Sequence, residues 1–186
     1  MKKFLKKLSE KKGMGTLEFV ICLMLFLIIF TFLADMFLIL YKQYVTTSAC
    51  SEIVRQIGIQ GGISPQCPEN YPGLEKNYLT YNELNNWIKD LNDSFFVEDD
   101  SIYCEIAYYE DPTNPNSKKI INPKNSVDTI YLPYGSYISV TVYYPQTWSF
   151  WASLTGGLLH GSTFSVTKEF VTDYVSWTDD GYTQSY

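Results

Sequence analysis

Between Leu17 and Leu40 the chain carries an almost unbroken apolar run whose only charged residues are Glu18 and Asp35. Its 24 residues would extend about 36 Å as an α-helix, enough to cross a hydrocarbon core about 30 Å thick. The pattern predicts a membrane-spanning helix. An apolar stripe continues beyond it: Tyr41, Val45, Ala49, Ile53 and Ile57 recur at every fourth position, with Val54 beside them. One helix is therefore expected from about Met14 to Gln60. Gly58, Gly61, Gly62 and Pro65 are read as its stop signals. Counted along this helix, Asp35 falls near the outer interface, where a carboxylate is expected to stay hydrated.

Residues 63–79 contain Pro65, Pro68, Pro72 and Gly73 and read as an extended loop. Thr80-Tyr81-Asn82-Glu83 then has the form of a capping box, and Leu84, Trp87, Ile88 and Leu91 follow at i, i+3, i+4 and i+7. That spacing predicts a short amphipathic helix over 81–92 with Trp87 as a core anchor. From Phe95 onward the period changes to two. Ile102, Cys104, Ile106 and Tyr108 alternate with Tyr103, Glu105 and Ala107, and a polar loop is expected from Asp111-Pro112 through Lys124. Asp128 to Leu132 suits a short strand. Ile138, Val140 and Val142 alternate with Tyr137, Ser139, Thr141 and Tyr143, the clearest strand pattern in the chain. A long last strand is expected between Ser162 and Trp177, with a bulge near Lys168-Glu169 where the alternation slips.

The fold class that follows is α+β: a long N-terminal transmembrane and spine helix, then a small, mostly antiparallel sheet domain with one short extra helix. The expected division is 1–13 before the helix, 14–60 with the transmembrane part 17–40, and 61–186 as one external domain. Lys2, Lys3, Lys6, Lys7, Lys11 and Lys12 all precede the apolar run, so the positive-inside bias places the N-terminus in the cytoplasm and the domain outside. High tyrosine content, 16 residues, suits strands and contact surfaces where a ring packs and its hydroxyl stays wet.

Glu18 needs a reason, because an acid inside an apolar helix is expensive and usually has a partner. Lys11-Lys12-Gly13, Met14, Glu18 at the fifth place after the glycine, and the apolar run behind it together resemble the class III signal of type IV prepilins and pseudopilins. The resemblance implies cleavage between Gly13 and Met14 by a membrane-embedded prepilin peptidase, with the helix kept on the mature chain. It further implies that Glu18 of one subunit neutralises the new Met14 ammonium of its neighbour, and that a pilus assembly platform and other pilin subunits are partners. The layout is also similar to TadE-like pseudopilins of tight-adherence pili, including the Val140 to Pro145 run and the apolar loop after it. The chain is longer than most of these, which leaves residues 63–124 as an insertion without an assigned role.

An uncleaved signal anchor, with Glu18 among cytoplasmic headgroups, is the other reading of the N-terminus. A removable secretory signal fits less well, since its apolar core is about 7–15 residues. Removing residues 1–13 leaves 8 basic and 19 acidic residues, a net charge of −11. Such a surface repels phosphate backbones, so no direct nucleic-acid binding is expected.

Three cysteines, Cys50, Cys67 and Cys104, lie beyond the span and allow one disulfide in any of three pairings; Cys22 sits within the span. No zinc spacing occurs. His160 is the only histidine, and no nucleophile elbow or phosphate-cradling loop is present, so neither an enzyme nor a cofactor is expected. Glu98-Asp99-Asp100 and Asp179-Asp180 lack the spaced ligands of an EF-hand. Trp148, Phe150 and Trp151 crowd one connecting loop and mark it as a contact element, either folded beneath the sheet or exposed to a neighbour or the membrane surface. The expected function is a pilin-like structural subunit of a pilus or pseudopilus. The alternative is an uncleaved single-span protein with an external binding or sensory domain.

Overall fold

The computed structural model describes residues 11–69, 71, 75–95, 101–109, 113–126, 128–132, 135–146, 162–172, 177–178 and 181–182. Helix α1 runs Lys11–Gln60, 50 residues without a break, or about 75 Å. Strand β1 (Gly62–Ile63) follows, then a 3-10 turn at Glu75–Asn77 and helix α2 (Tyr81–Phe95). The remaining strands are β2 (Tyr103–Tyr109), β3 (Lys118–Ile121), β4 (Ile130–Tyr131), β5 (Tyr137–Gln146), β6 (Ser162–Val171), β7 (Trp177–Thr178) and β8 (Gly181–Tyr182). This is the expected α+β architecture. The chain divides into two units, residues 1–41 with 147–161 and residues 42–146 with 162–186.

In the second unit the main sheet has the order β3-β2-β5-β6, and every neighbouring pair is antiparallel. Alternation decides its faces. Ile138, Val140, Val142 and Tyr144 of β5 and Cys104, Ile106 and Tyr108 of β2 are buried. They pack against Cys50, Ile53, Val54 and Ile57 of α1 and Leu84, Ile88, Leu91 and Phe95 of α2, forming one core. On the opposite face Tyr103 stacks on Tyr143, ring centroids 4.6 Å apart, and the Tyr143 hydroxyl donates to Glu105 at 3.0 Å.

Both helix boundaries expected from the sequence have physical counterparts. Glu83 accepts from the Thr80 backbone N–H at 2.9 Å while the Thr80 hydroxyl accepts from the Glu83 N–H at 3.2 Å, the reciprocal capping box. At the other boundary Gly61 has φ 76°, the left-handed conformation that ends a helix. Gly62 then lies so close to β4 that an added Cβ would stand 2.0 Å from the Ile130 carbonyl oxygen. Gly58 is not a stop signal. It lies inside α1, where a Cβ would meet Phe170 Cδ1 at 2.2 Å, so its missing side chain lets α1 approach β6.

Other expectations are corrected. The stretch expected as a polar loop through Lys124 contains β3, which pairs with β2 from Ile106↔Ile121 to Tyr109↔Lys118. The sequence Lys118-Lys119-Ile120-Ile121 lacks alternation because the strand is short and exposed, Ile120 at 61%. The bulge expected near Lys168-Glu169 is absent: β5 and β6 pair in unbroken register from Tyr137↔Val171 to Gln146↔Ser162. Lys168 stands opposite Val140 in that register, and on a strand at the sheet's edge a long side chain pointing to the core side can carry its charge round to water. Trp87 does not anchor the core. It is 38% exposed, whereas Tyr81, Leu84, Ile88, Leu91 and Phe95 form the buried face of α2.

At the end of the stretch expected as an extended loop, Leu79 is tied to the end of α1 by Gln60. At 1% exposure, its Nε2 donates to the carbonyls of Gly62 at 2.7 Å and Leu79 at 2.9 Å, while its Oε1 accepts from the Leu79 N–H at 2.8 Å. Tyr78 and Leu79 are buried beside it.

Candidate functional site

The candidate site is the first part of α1. Residues 17–40 form a helix because straight-chain and aromatic apolar residues fill every turn and no proline or internal glycine interrupts them. Its surface is apolar nearly all round: Phe19, Met24, Phe26 and Phe37 are 66%, 62%, 62% and 70% exposed. A helix of this kind has no solvent suited to it except lipid or another apolar surface. Thr31 satisfies its hydroxyl within the helix by donating to the Ile28 carbonyl at 2.9 Å, as a buried hydroxyl in lipid must.

Glu18 is exposed one turn after Met14 on α1. The helix begins at Lys11, so the Gly13–Met14 peptide bond lies in its opening turns. Asp35 corrects the sequence reading. It is 1% exposed, rather than standing free at an interface. The charge that does sit at the end of the span is Lys42, whose Nζ lies 5.6 Å from the centroid of the Phe95 ring; burial lowers its pKa.

All four cysteines are free thiols. Cys50 and Cys104 are buried in the same core, Cys67 is half-buried, and Cys22 is exposed on the apolar helix. Cys50 Sγ donates to the Val140 carbonyl at 3.1 Å, which seats α1 over β5. Burial raises its pKa to about 11 and raises that of Cys104 further, so both are inert packing groups at neutral pH. Among the described residues no group of three or more His, Cys, Asp or Glu side chains gathers around a point. The contact-loop residues Trp148, Phe150 and Trp151, together with His160, Glu98-Asp99-Asp100 and Asp179-Asp180, lie outside the described residues.

Two residues prove to be structural keys: Gln60, to which the sequence assigns no role beyond the end of α1, and Gly58, which it assigns as a stop signal. A glutamine as the last helical residue, followed by two glycines, was the available signal for the first, since its amide can both donate to and accept from backbone groups of the chain that leaves the helix.

Residues 13–55 match the profile of a family described as TadE-like protein. The match bears out the TadE-like resemblance over that stretch and does not extend to the Val140–Pro145 run. No curated protein and no solved structure matches the chain.

Proposed function

We propose that this chain, with its TadE-like segment over residues 13–55, is a pilin-like structural subunit of a tight-adherence or related type IV pilus or pseudopilus. A prepilin peptidase removes residues 1–13 on the cytoplasmic side, and the mature chain begins at Met14. The observation that carries this reading is the coincidence of the family match with the apolar helix: the match starts at the glycine of the signal and covers the whole of residues 17–40, most of whose large apolar side chains are left exposed.

Assembly is then lateral packing of that helix between copies of the chain and related subunits, driven by dispersion and by satisfaction of Glu18. The Met14 ammonium of one subunit and the Glu18 carboxylate of the next neutralise each other where neither has water. The domain of residues 61–186 lies outside the membrane. The assembly platform that extracts the helix, the peptidase and the membrane are the partners; adhesion, secretion or DNA transfer is the service.

The test is the mass and N-terminal residue of the protein recovered from membranes, with and without an active prepilin peptidase. A chain beginning at Met14 only when the peptidase is active is the expected result. An intact Met1 chain in its presence overturns the reading in favour of an uncleaved single-span anchor. Glu18→Ala is expected to be cleaved normally and to be lost from filaments; normal incorporation refutes the pairing.

A further inference from the structure

Helix α2 places its one tryptophan off the core face, and a cleft explains where it goes. Within the second unit, Trp87 lines an open cleft of about 540 Å³ together with Ile59 of α1, the tyrosines Tyr71 and Tyr78, and the polar residues Glu52, Gln56, Asn77 and Glu83. A volume of that order is in the range, about 300–1,000 Å³, of small-ligand pockets. Trp87 and Ile59 are 38% and 40% exposed there, while Tyr71 and Tyr78 meet edge to face with centroids 4.9 Å apart. The wall is preformed. Gln56 Nε2 donates to the Asn77 carbonyl, and this bond joins α1 to the 3-10 turn within the cleft's lining.

The polar groups around the tryptophan retain unused capacity. Among the described residues the Trp87 indole N–H and the Asn77 side-chain amide meet no hydrogen-bond partner, and Gln56 spends its N–H but not its oxygen. Glu83 is engaged by the capping box and Glu52 by Arg55 at 2.8 Å, yet a carboxylate has about four acceptor sites and each keeps some of them. An aromatic face ringed by amide and carboxylate groups suits a ligand that is apolar on one side and rich in hydroxyls at its edge. A sugar ring has that form: its axial C–H groups pack on the π-face and its hydroxyls both donate and accept. Two carboxylates against one guanidinium in this neighbourhood disfavour a polyanion.

The larger cleft, about 630 Å³ and lined by Asn85, Asn92, Asn122, Lys89, Lys124 and Tyr103 among others, lacks this combination. Asn92 and Asn85 are held by Ile88, Ile102 and Pro123, Asn122 accepts from the Lys124 N–H, and the Tyr103 ring is already stacked.

We propose that the Trp87 cleft is a binding site for a neutral glycan, with one pyranose ring lying on the exposed face of Trp87 and its hydroxyls shared among Asn77, Gln56 and Glu52. The proposal does not rest on filament assembly, because the unassembled chain carries the complete cleft.

The experiment titrates the full chain, in a zwitterionic detergent without sugar headgroups, with maltotetraose, cellotetraose and the β-1,4 N-acetylglucosamine tetramer, using saturation-transfer NMR and calorimetry. Binding of at least one of them is expected, weakened about 10-fold or more by Trp87→Ala and kept within about threefold by Trp87→Tyr. Asn77→Ala, a surface change that cannot unfold the core, should weaken binding independently. The proposal is overturned by absence of binding to all three at about 10 mM, or by unchanged binding in Trp87→Ala. It is equally overturned by tighter binding of polygalacturonate, or by a Trp87-dependent self-association without sugar binding, which would make the occupant a second copy of the chain.

Discussion

Replacing Gln60 by methionine tests the account of how α1 is joined to the rest of its unit. The two side chains have similar length and volume, so Gln60→Met leaves the packing largely filled and removes only the hydrogen bonds. Among those lost are the bonds from Nε2 to the Gly62 and Leu79 carbonyls and the one from the Leu79 N–H to Oε1. Had both partners of each bond been replaced, the net change would be small. Here the backbone partners remain, buried beside Leu79 and Ile63 at 4% and 0% exposure, and each orphaned group costs about 1–3 kcal/mol. Two carbonyls and one N–H at the lower end give about 3 kcal/mol, and water reaching the site would hold the value near that end. With an m-value of about 2 kcal/mol per molar urea, the midpoint should fall by about 1.5 M. Urea unfolding of the detergent-solubilised chain measures this, and amide exchange gives a local readout, since the Leu79 N–H should lose its protection while the β5 amides keep theirs. A midpoint within about 0.25 M of the parent, or a Leu79 amide still protected, would refute the reasoning.

Gly58→Ala should destabilise by up to about 2 kcal/mol, because a collision with Phe170 at 2.2 Å, costing about 1–3, exceeds the helix-propensity gain of about 0.8–1. Adding Phe170→Ala should make the second substitution at Gly58 neutral or favourable, and a gain of stability from Gly58→Ala alone would show that α1 and β6 do not meet as described. Stability should also fall in alkali. The Cys50 thiol ionises near its ordinary 9.0 when unfolded but only at about 11 when folded, and Tyr81 shifts from 10.0 to about 12 in the same sense, both through burial. The folded chain therefore holds more protons above pH 9, and each such group removes up to about 1.4 kcal/mol of stability per pH unit until its folded pKa is passed. Below pH 9 these groups contribute no slope. Melting temperatures from about pH 8 to 10.5 check it, and a flat profile, or one unchanged by Cys50→Ala, contradicts the burial of that thiol.

Much of the fold was legible because its signals are local. The capping box at Thr80 and Glu83 works within one turn, and the alternation of Tyr137 to Gln146 reports a strand whose two faces meet different surroundings. Gly61 ends α1 by its own backbone conformation. Where a residue's role is set by something distant in the chain, the reading failed. Gly58 looked like punctuation until Phe170, more than a hundred positions away, was seen to fill the space over it. Trp87 matched the helical spacing of a core residue, but α2 is turned so that this flank borders Ile59 and Asn77 instead.

The sequence alone determined that one helix is apolar enough to span a membrane and that a capped amphipathic helix and alternating strands follow it, because burial in lipid and the periods 3.6 and 2 depend only on neighbouring residues. Only the tertiary structure decided that β3 exists, that Lys168 needs no bulge, that Asp35 is buried, and that Gln60 fastens Gly62 and Leu79 to the end of α1. Those outcomes depend on which surfaces the folded chain brings together. Pairing partners and desolvation are properties of such surfaces, and no local pattern encodes them.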